Sequence, residues 1–277
     1  MLRLRNVLLV CISALLCSCG KVPLSNGETT TLQDTVNSSF RVVMAYDNVD
    51  ILLRHADADH VAGSYKITTG ENLIRNIKIE NPVHKIDGKD SVSLDTIEIH
   101  NYNELNWVRP YDYELKVVLY YDSISEIVCN SNGTIETDMM KGTYIPGAGS
   151  GDEYTGAMRS LKLRINGGSG DVKVKVDCFQ LDTDYDFGTA KVFLEGRSPI
   201  ATTHCSYNSH GPIDAKSLWT NYHYVYHYGT NYVFVYARHM VNAYNYNNGV
   251  IQYVYDPQAN IPQVIDTVGQ YIGPLIP

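Results

Sequence analysis

Positive charge is in short supply in this 277-residue chain: 22 Lys and Arg stand against 30 Asp and Glu, a formal net charge of −8. Such a chain has no basic footprint for a phosphate backbone, which removes nucleic acid from its partners. Long apolar runs are missing too. The run Val7 to Leu16 is about ten residues, half of what a membrane-crossing helix needs. Cysteine is sparse. Six are present, and only Cys129, Cys178 and Cys205 lie beyond residue 19. Three thiols cannot all pair within one chain, and their spacing matches no metal-ligand pattern. They read as small buried hydrophobes, with a single disulfide as the alternative. Helical periodicity is absent from every window of a dozen residues. So are the Gly-x-Ser-x-Gly elbow of serine hydrolases and the Lys-Ser/Thr of a phosphate loop, which Asn166 to Asp171 (NGGSGD) lacks.

What is present begins with an address. Arg3 and Arg5 precede the apolar run in the layout of a secretory signal, residues 1–18. The run ends Leu16-Cys17-Ser18-Cys19, which resembles a bacterial lipobox. The resemblance implies that Cys19 becomes the lipidated first residue, so that the membrane is a partner through an acyl anchor. Gly20 follows, where an Asp would imply inner-membrane retention, and this points to the outer membrane. The leader holds two basic residues and no acidic one. The remainder therefore carries 20 basic against 30 acidic residues, about ten negative charges. Residues 19–38 are polar and aperiodic and read as a flexible tether.

From Phe40 onward, Val, Ile, Leu and Tyr alternate with polar residues in short runs broken by Asn, Asp, Gly and Pro, as strands require. The chain is therefore all-β. Glycines that close a turn and lead into a strand recur at Gly133, Gly170, Gly188, Gly211, Gly229 and Gly249, the last four intervals being 18, 23, 18 and 20 residues. A glycine-marked period near 20 predicts a β-solenoid rather than a sandwich. The glycines are expected to supply positive φ at tight corners. The solenoid is placed at residues 39–277, with a less regular strand region at 39–122.

The segment YHYVYHYGTNYVFVYA, residues 222–237, concentrates six tyrosines. Val233, Val235 and Ala237 suit a narrow interior, which turns Tyr232 and Tyr236 outward. For Tyr222, Tyr224, Tyr226 and Tyr228 the opposite face is His223, Val225 and His227, so the alternation does not decide the buried side. Stacked tyrosines either stabilise the coil or form a platform for a glycan or protein ligand, and these six are the candidate binding residues. Tyr244, Tyr246, Tyr253 and Tyr255 continue the pattern.

Four segments resemble the putative auto-transporter adhesin, head GIN domain family. They are NLIRNIKIE (72–80), IEIHNYNELNWVRPYDYELKVVLYYDSISEIVCNSNGTIET (97–137), LRINGGSGDVKVKV (163–176) and YGTNYVFVYARHMVNAYNYNNGVIQYVYDP (228–257). The resemblance covers most of residues 40–257. It departs at Tyr255-Asp256-Pro257, where Gly-Asn-Pro is expected. It implies a right-handed β-helix in a secreted or lipid-anchored protein of the kind common in Bacteroidetes, with adhesion as the suggested role. Asp-Ser/Thr-apolar triplets are similar to the O-glycosylation acceptor of such extracytoplasmic proteins, and Thr35 and Thr267 are the accessible candidates.

Other constellations offer little chemistry. Asp182, Asp184 and Asp186 alternate on one strand face, but the EF-hand positions after them hold Phe187 and Phe193. His223 and His227 share a strand face about 13 Å apart, too far to chelate one ion. No catalytic residue, metal or cofactor is assigned. The function expected is a lipid-anchored outer-membrane envelope protein that presents its solenoid surface to glycans or proteins. A polysaccharide lyase or hydrolase, or a purely structural component, are the alternatives.

Overall fold

The structure, a computed structural model, describes residues 25–86, 89–104, 114–141, 144–145, 153–154, 160–254, 263–266 and 272–274. Among these residues the chain is all-β, with one 3-10 turn at Ile74–Asn76 and no α-helix. Two large sheets carry the architecture. The eleven-stranded sheet runs Thr29–Thr35, Ser64–Gly70, Lys116–Tyr121, Asp50–His55, Ile135–Lys141, Val172–Asp177, Val192–Arg197, Ile213–Trp219, Tyr232–Tyr236, Val250–Val254, Ile272–Pro274. The ten-stranded sheet runs Gln263–Asp266, Met240–Asn245, Tyr222–His227, Ile200–Ser209, Gln180–Gly188, Ser160–Ile165, Glu126–Ser131, Val42–Asp47, Thr96–Asn101, Ile77–Glu80.

Pairing in both sheets is mostly parallel and neither closes into a barrel. From Ser160 on, successive strands fall alternately in the two sheets, so each pairs with the strand two places along the chain. Antiparallel pairing within the large sheets is confined to the N-terminal region, where Ser64–Gly70 joins Thr29–Thr35 and Lys116–Tyr121, and Ile77–Glu80 joins Thr96–Asn101.

The strand alternation read from the sequence is the burial alternation observed. In Val172–Asp177 the valines are buried and Lys173, Lys175 and Asp177 point outward. Inward residues of both sheets, such as Val225 and Val235, belong to one hydrophobic cluster. Each Val, Leu or Ile so buried contributes roughly 1.5–3 kcal/mol, and this is what holds the two sheets together.

Two expectations need correction. Residues 29–35, read as tether, form an edge strand paired with Ser64–Gly70 over its whole length. Six of its seven residues are exposed, so backbone hydrogen bonds hold it rather than burial, and it has no apolar alternation to reveal it. The second correction concerns the corner glycines. Of the six, only Gly188 has positive φ (119°). The others are required by close approach. A Cβ on Gly133, Gly170 or Gly211 would overlap the carbonyl oxygen of Val49, Gly133 or Ala190, respectively. On Gly249 it would run into the His227 ring, and on Gly229 into Ser209 and the Asn231 side chain. Gly211→Ala is therefore expected to lower stability by about 2–3 kcal/mol through overpacking against backbone. Gly167, with nothing within 4 Å of an added Cβ, is the control: Gly167→Ala should leave stability unchanged or raise it slightly. Urea unfolding of the two variants checks both.

Candidate functional site

The Tyr222–His227 strand lies inside the ten-stranded sheet, and its faces are now distinguished. His223, Val225 and His227 are buried, while Tyr222, Tyr224 and Tyr226 point outward. Tyr232 and Tyr236 also point outward, with Val233, Val235 and Ala237 inside, but from the eleven-stranded sheet. The six candidate tyrosines thus do not form one strip. Tyr222, Tyr224 and Tyr226 lie in one sheet, with Tyr228 just past the end of their strand, and Tyr232 and Tyr236 lie in the other.

Parallel register builds an aromatic array on the ten-stranded sheet. Asp184, His204, Tyr226 and Tyr244 sit on successive strands in one outward column. Tyr226 stacks on Tyr244 with ring centroids 5.1 Å apart and planes within 3°, and Tyr228 stacks on Tyr246 at 4.4 Å and 4°. Tyr244 and Tyr246 are parallel at 6.3 Å. His204 meets Tyr228 edge-on at 5.6 Å, and Tyr207 leans on it at 5.4 Å. Each stacked pair adds about 0.5–1.5 kcal/mol beyond its buried area. Because the rings stack along the ladder, each covers a face of its neighbour. Tyr226, Tyr228 and Tyr244 are half-buried and Tyr246 is exposed, with the Tyr246 phenol hydrogen-bonded to Tyr228. Tyr207 (64% exposed), Phe187 (57%) and Tyr246 (41%) are the most open aromatic side chains at this end. Tyr207 was not among the sequence candidates. The signal for Tyr244 and Tyr246 was an 18-residue offset from Tyr226 and Tyr228; Tyr207 lies in a bulged stretch of its strand, where the offset fails.

Polar contacts under the array fix its position. The buried His227 ring touches Asn245 Oδ1 at 3.1 Å and Asn231 Oδ1 at 2.8 Å. Asn231 Nδ2 donates to the Gly211 carbonyl at 2.6 Å and Asn245 Nδ2 to that of Gly249 at 2.7 Å. Asp182, Asp184 and Asp186 all lie on the outer face, as alternation requires. Asp184 is 2.9 Å from Lys162 Nζ, and Asp182 accepts from Gln180 Nε2. Among the described residues no group of three His, Cys, Asp or Glu side chains could hold a metal ion.

The eleven-stranded face is different in kind. Tyr232, 53% exposed, lies parallel to Phe234 at 6.1 Å, and Lys216 Nζ stands 4.9 Å over the Phe234 ring. Thr35 is exposed on the edge strand. Cys19 and Thr267 lie outside the described residues. Cys129, Cys178 and Cys205 are buried and free, and burial pushes the thiols of Cys178 and Cys205 up to about 11 and about 12.

His223 supplies a pH dependence. Its Nε2 lies 3.0 Å from Thr203 Oγ1, and burial lowers its pKa to about 4. Between about pH 6.5 and 4 the unfolded chain binds a proton at this site that the folded chain refuses, so stability falls as pH drops through that window. The loss is up to about 1.4 kcal/mol per pH unit and ends below the folded pKa. Denaturant midpoints across pH 4 to 7 should show a shallower slope in His223→Leu than in the parent chain.

The arrangement has known relatives. No curated protein sequence matches the chain. Among solved structures it is similar to a putative adhesin from Bacteroides fragilis, at 18% identity and a TM-score of 0.65, covering 90% of this chain and 97% of that one. A putative adhesin from Parabacteroides distasonis shares 15% identity at a TM-score of 0.55, with 90% and 98% covered. A protein named putative lipid binding protein from the same organism shares 16% at 0.50, with 91% and 98% covered. At these identities the likeness is one of fold. The family profile goes further, matching residues 39–257 along both sheets. With that span matched, the chain belongs to the putative auto-transporter adhesin, head GIN domain family.

Proposed function

We propose that this protein is a lipid-anchored component of the cell envelope that binds glycan chains on the outer face of its ten-stranded sheet. The observation that carries the reading is the array of Tyr226, Tyr228, Tyr244 and Tyr246, four near-parallel rings on the outer face, three half-buried and Tyr246 exposed. Phenolic edges give a row of hydrogen-bond donors and acceptors, and the ring bodies give apolar contact, which together suit a polymer of sugar rings. His204 and the more open Tyr207 extend the surface. Family membership and the adhesin names of the structural neighbours support binding as the task. Asp184 and Asp182 of the same face are engaged by Lys162 and Gln180, which favours recognition over a lyase or hydrolase.

Two further parts belong to this reading. Cys19 is the acylated anchor at the outer membrane, and residues 20–28 link it to the edge strand. The alternation of strands between two parallel sheets is read as the turns of a right-handed β-solenoid, which sets the array on a stiff rod at a distance from the membrane. Tyr222 and Tyr224 continue the first face, whereas Tyr232 and Tyr236 form a second face of their own.

A glycan array probed with the full chain tests the function. Tyr228→Ala combined with Tyr246→Ala is expected to abolish glycan signal while costing only about 1–2 kcal/mol of stability. Binding that survives this pair but is lost in Tyr232→Ala with Tyr236→Ala would transfer the site to the other sheet; no glycan signal in the parent chain would overturn the reading. For the anchor, incorporation of labelled palmitate should vanish in Cys19→Ala.

A further inference from the structure

A hollow of about 340 Å³ opens where the Thr29–Thr35 edge strand meets the turn preceding Ser64. That is the lower end of the volume range of ligand cavities. Its walls are built. His60 stacks on Tyr120 at 4.2 Å with planes 3° apart, and its Nδ1 and backbone N–H are both held by Asp57 Oδ1, at 3.0 and 2.8 Å. Tyr120 is only 8% exposed beneath it. The turn is tied to strands on both sides: Gly63 N–H donates to the Tyr120 carbonyl and Val36 N–H to that of Gly63, each at 2.8 Å. Ser64 Oγ closes the turn on the Val61 carbonyl at 2.6 Å. Across the hollow, Asp34 stands opposite Tyr65 in the register, and its carboxylate takes the Thr35 N–H at 2.8 Å. The Tyr65 phenol is pushed above its usual range by burial and then by Asp34.

What this framework leaves over is informative. The side chains of Gln33, Asp59 and Lys66 line the hollow and have no partner among the described residues, nor does His60 Nε2. They comprise a carboxylate acceptor, ammonium and amide donors, and an imidazole nitrogen of either role. With Asp34, the lining carries two carboxylates against the Lys66 ammonium, which disfavours an anionic ligand. Val61 and the stacked rings add apolar contact. Mixed donors and acceptors around an apolar wall match a ring that carries hydroxyls on one rim and C–H groups on its face.

We propose that this hollow is a second binding site, sized and lined for a single hydroxyl-rich sugar ring. The ligand class rests on the glycan reading above, but the site itself does not: it belongs to the other sheet and shares no residue with the tyrosine array. The two can therefore fail separately.

Saturation-transfer NMR of the full chain tests it, with glucose, galactose, mannose, fucose and N-acetylglucosamine as probes. At least one probe is expected to bind. Its affinity should fall about tenfold in Asp59→Asn and in Lys66→Met, the size of one lost hydrogen bond to a charged group. Both positions are exposed and stand outside the Asp57–His60–Tyr120 support. Tyr228→Ala with Tyr246→Ala should leave the probe signal intact. The proposal is overturned if no probe shows transfer, if both hollow variants bind as the parent does, or if the signal disappears with the tyrosine pair instead.

Discussion

Neighbouring strands in a sheet lie about 4.8 Å apart, and nearly everything in this protein follows from holding parallel strands in register at that distance. Register turns sequence offsets into columns. Inward columns fill with Val, Ile, Leu and small polar residues. Outward columns place side chains of one kind above another. Tyrosine rings at 4.4 and 5.1 Å are the strand spacing expressed in side chains. The same spacing explains the corners, where a backbone lies against the backbone of the preceding strand and leaves no room for a Cβ at Gly133, Gly170 or Gly211.

That geometry shapes what the surface can recognise. Rings stacked along a ladder spend their faces on each other, so the array offers mainly ring edges. Faces become available where the ladder is interrupted, at Tyr207 and Phe187 in the bulged ends of their strands. The buried His227, Asn231 and Asn245 network beneath adds directional contacts that a purely apolar interior would lack. A surface fixed in this way loses little conformational freedom when it binds. This suits an extended ligand that touches many rungs weakly rather than one pocket strongly.

Much of this was legible in the residues, because period-two alternation reports directly which side chains face a core. The glycine intervals carried the repeat. The reason for the glycines did not come through, since a sequence cannot distinguish a residue that must bend from one that must make room. Strand Thr29–Thr35 was missed because it is exposed on both faces and its stability resides in main-chain hydrogen bonds. The faces of residues 222–228 stayed ambiguous because His223 and His227 are polar residues that the fold buries with partners. The split of the tyrosines between sheets was hidden by a turn at Gly229 that alternation alone reads as a short break. The hollow beside His60 depends on Tyr120, some sixty residues away in the chain, and left no local mark.

The claim beneath all of this is that the outward column of the ten-stranded sheet advances by one strand spacing per rung. Thr96, Val42, Glu126, Lys162, Asp182, Thr202, Tyr224 and Asn242 follow one another in that column. Spin labels can be attached through introduced cysteines, because the native thiols are buried. Pulsed electron–electron distances from position 242 should then be roughly 19 Å to position 162 and roughly 34 Å to position 96, from about 4.8 Å per strand. Distances to position 96 no longer than those to position 162 would contradict the ordered ladder and the face proposed for binding.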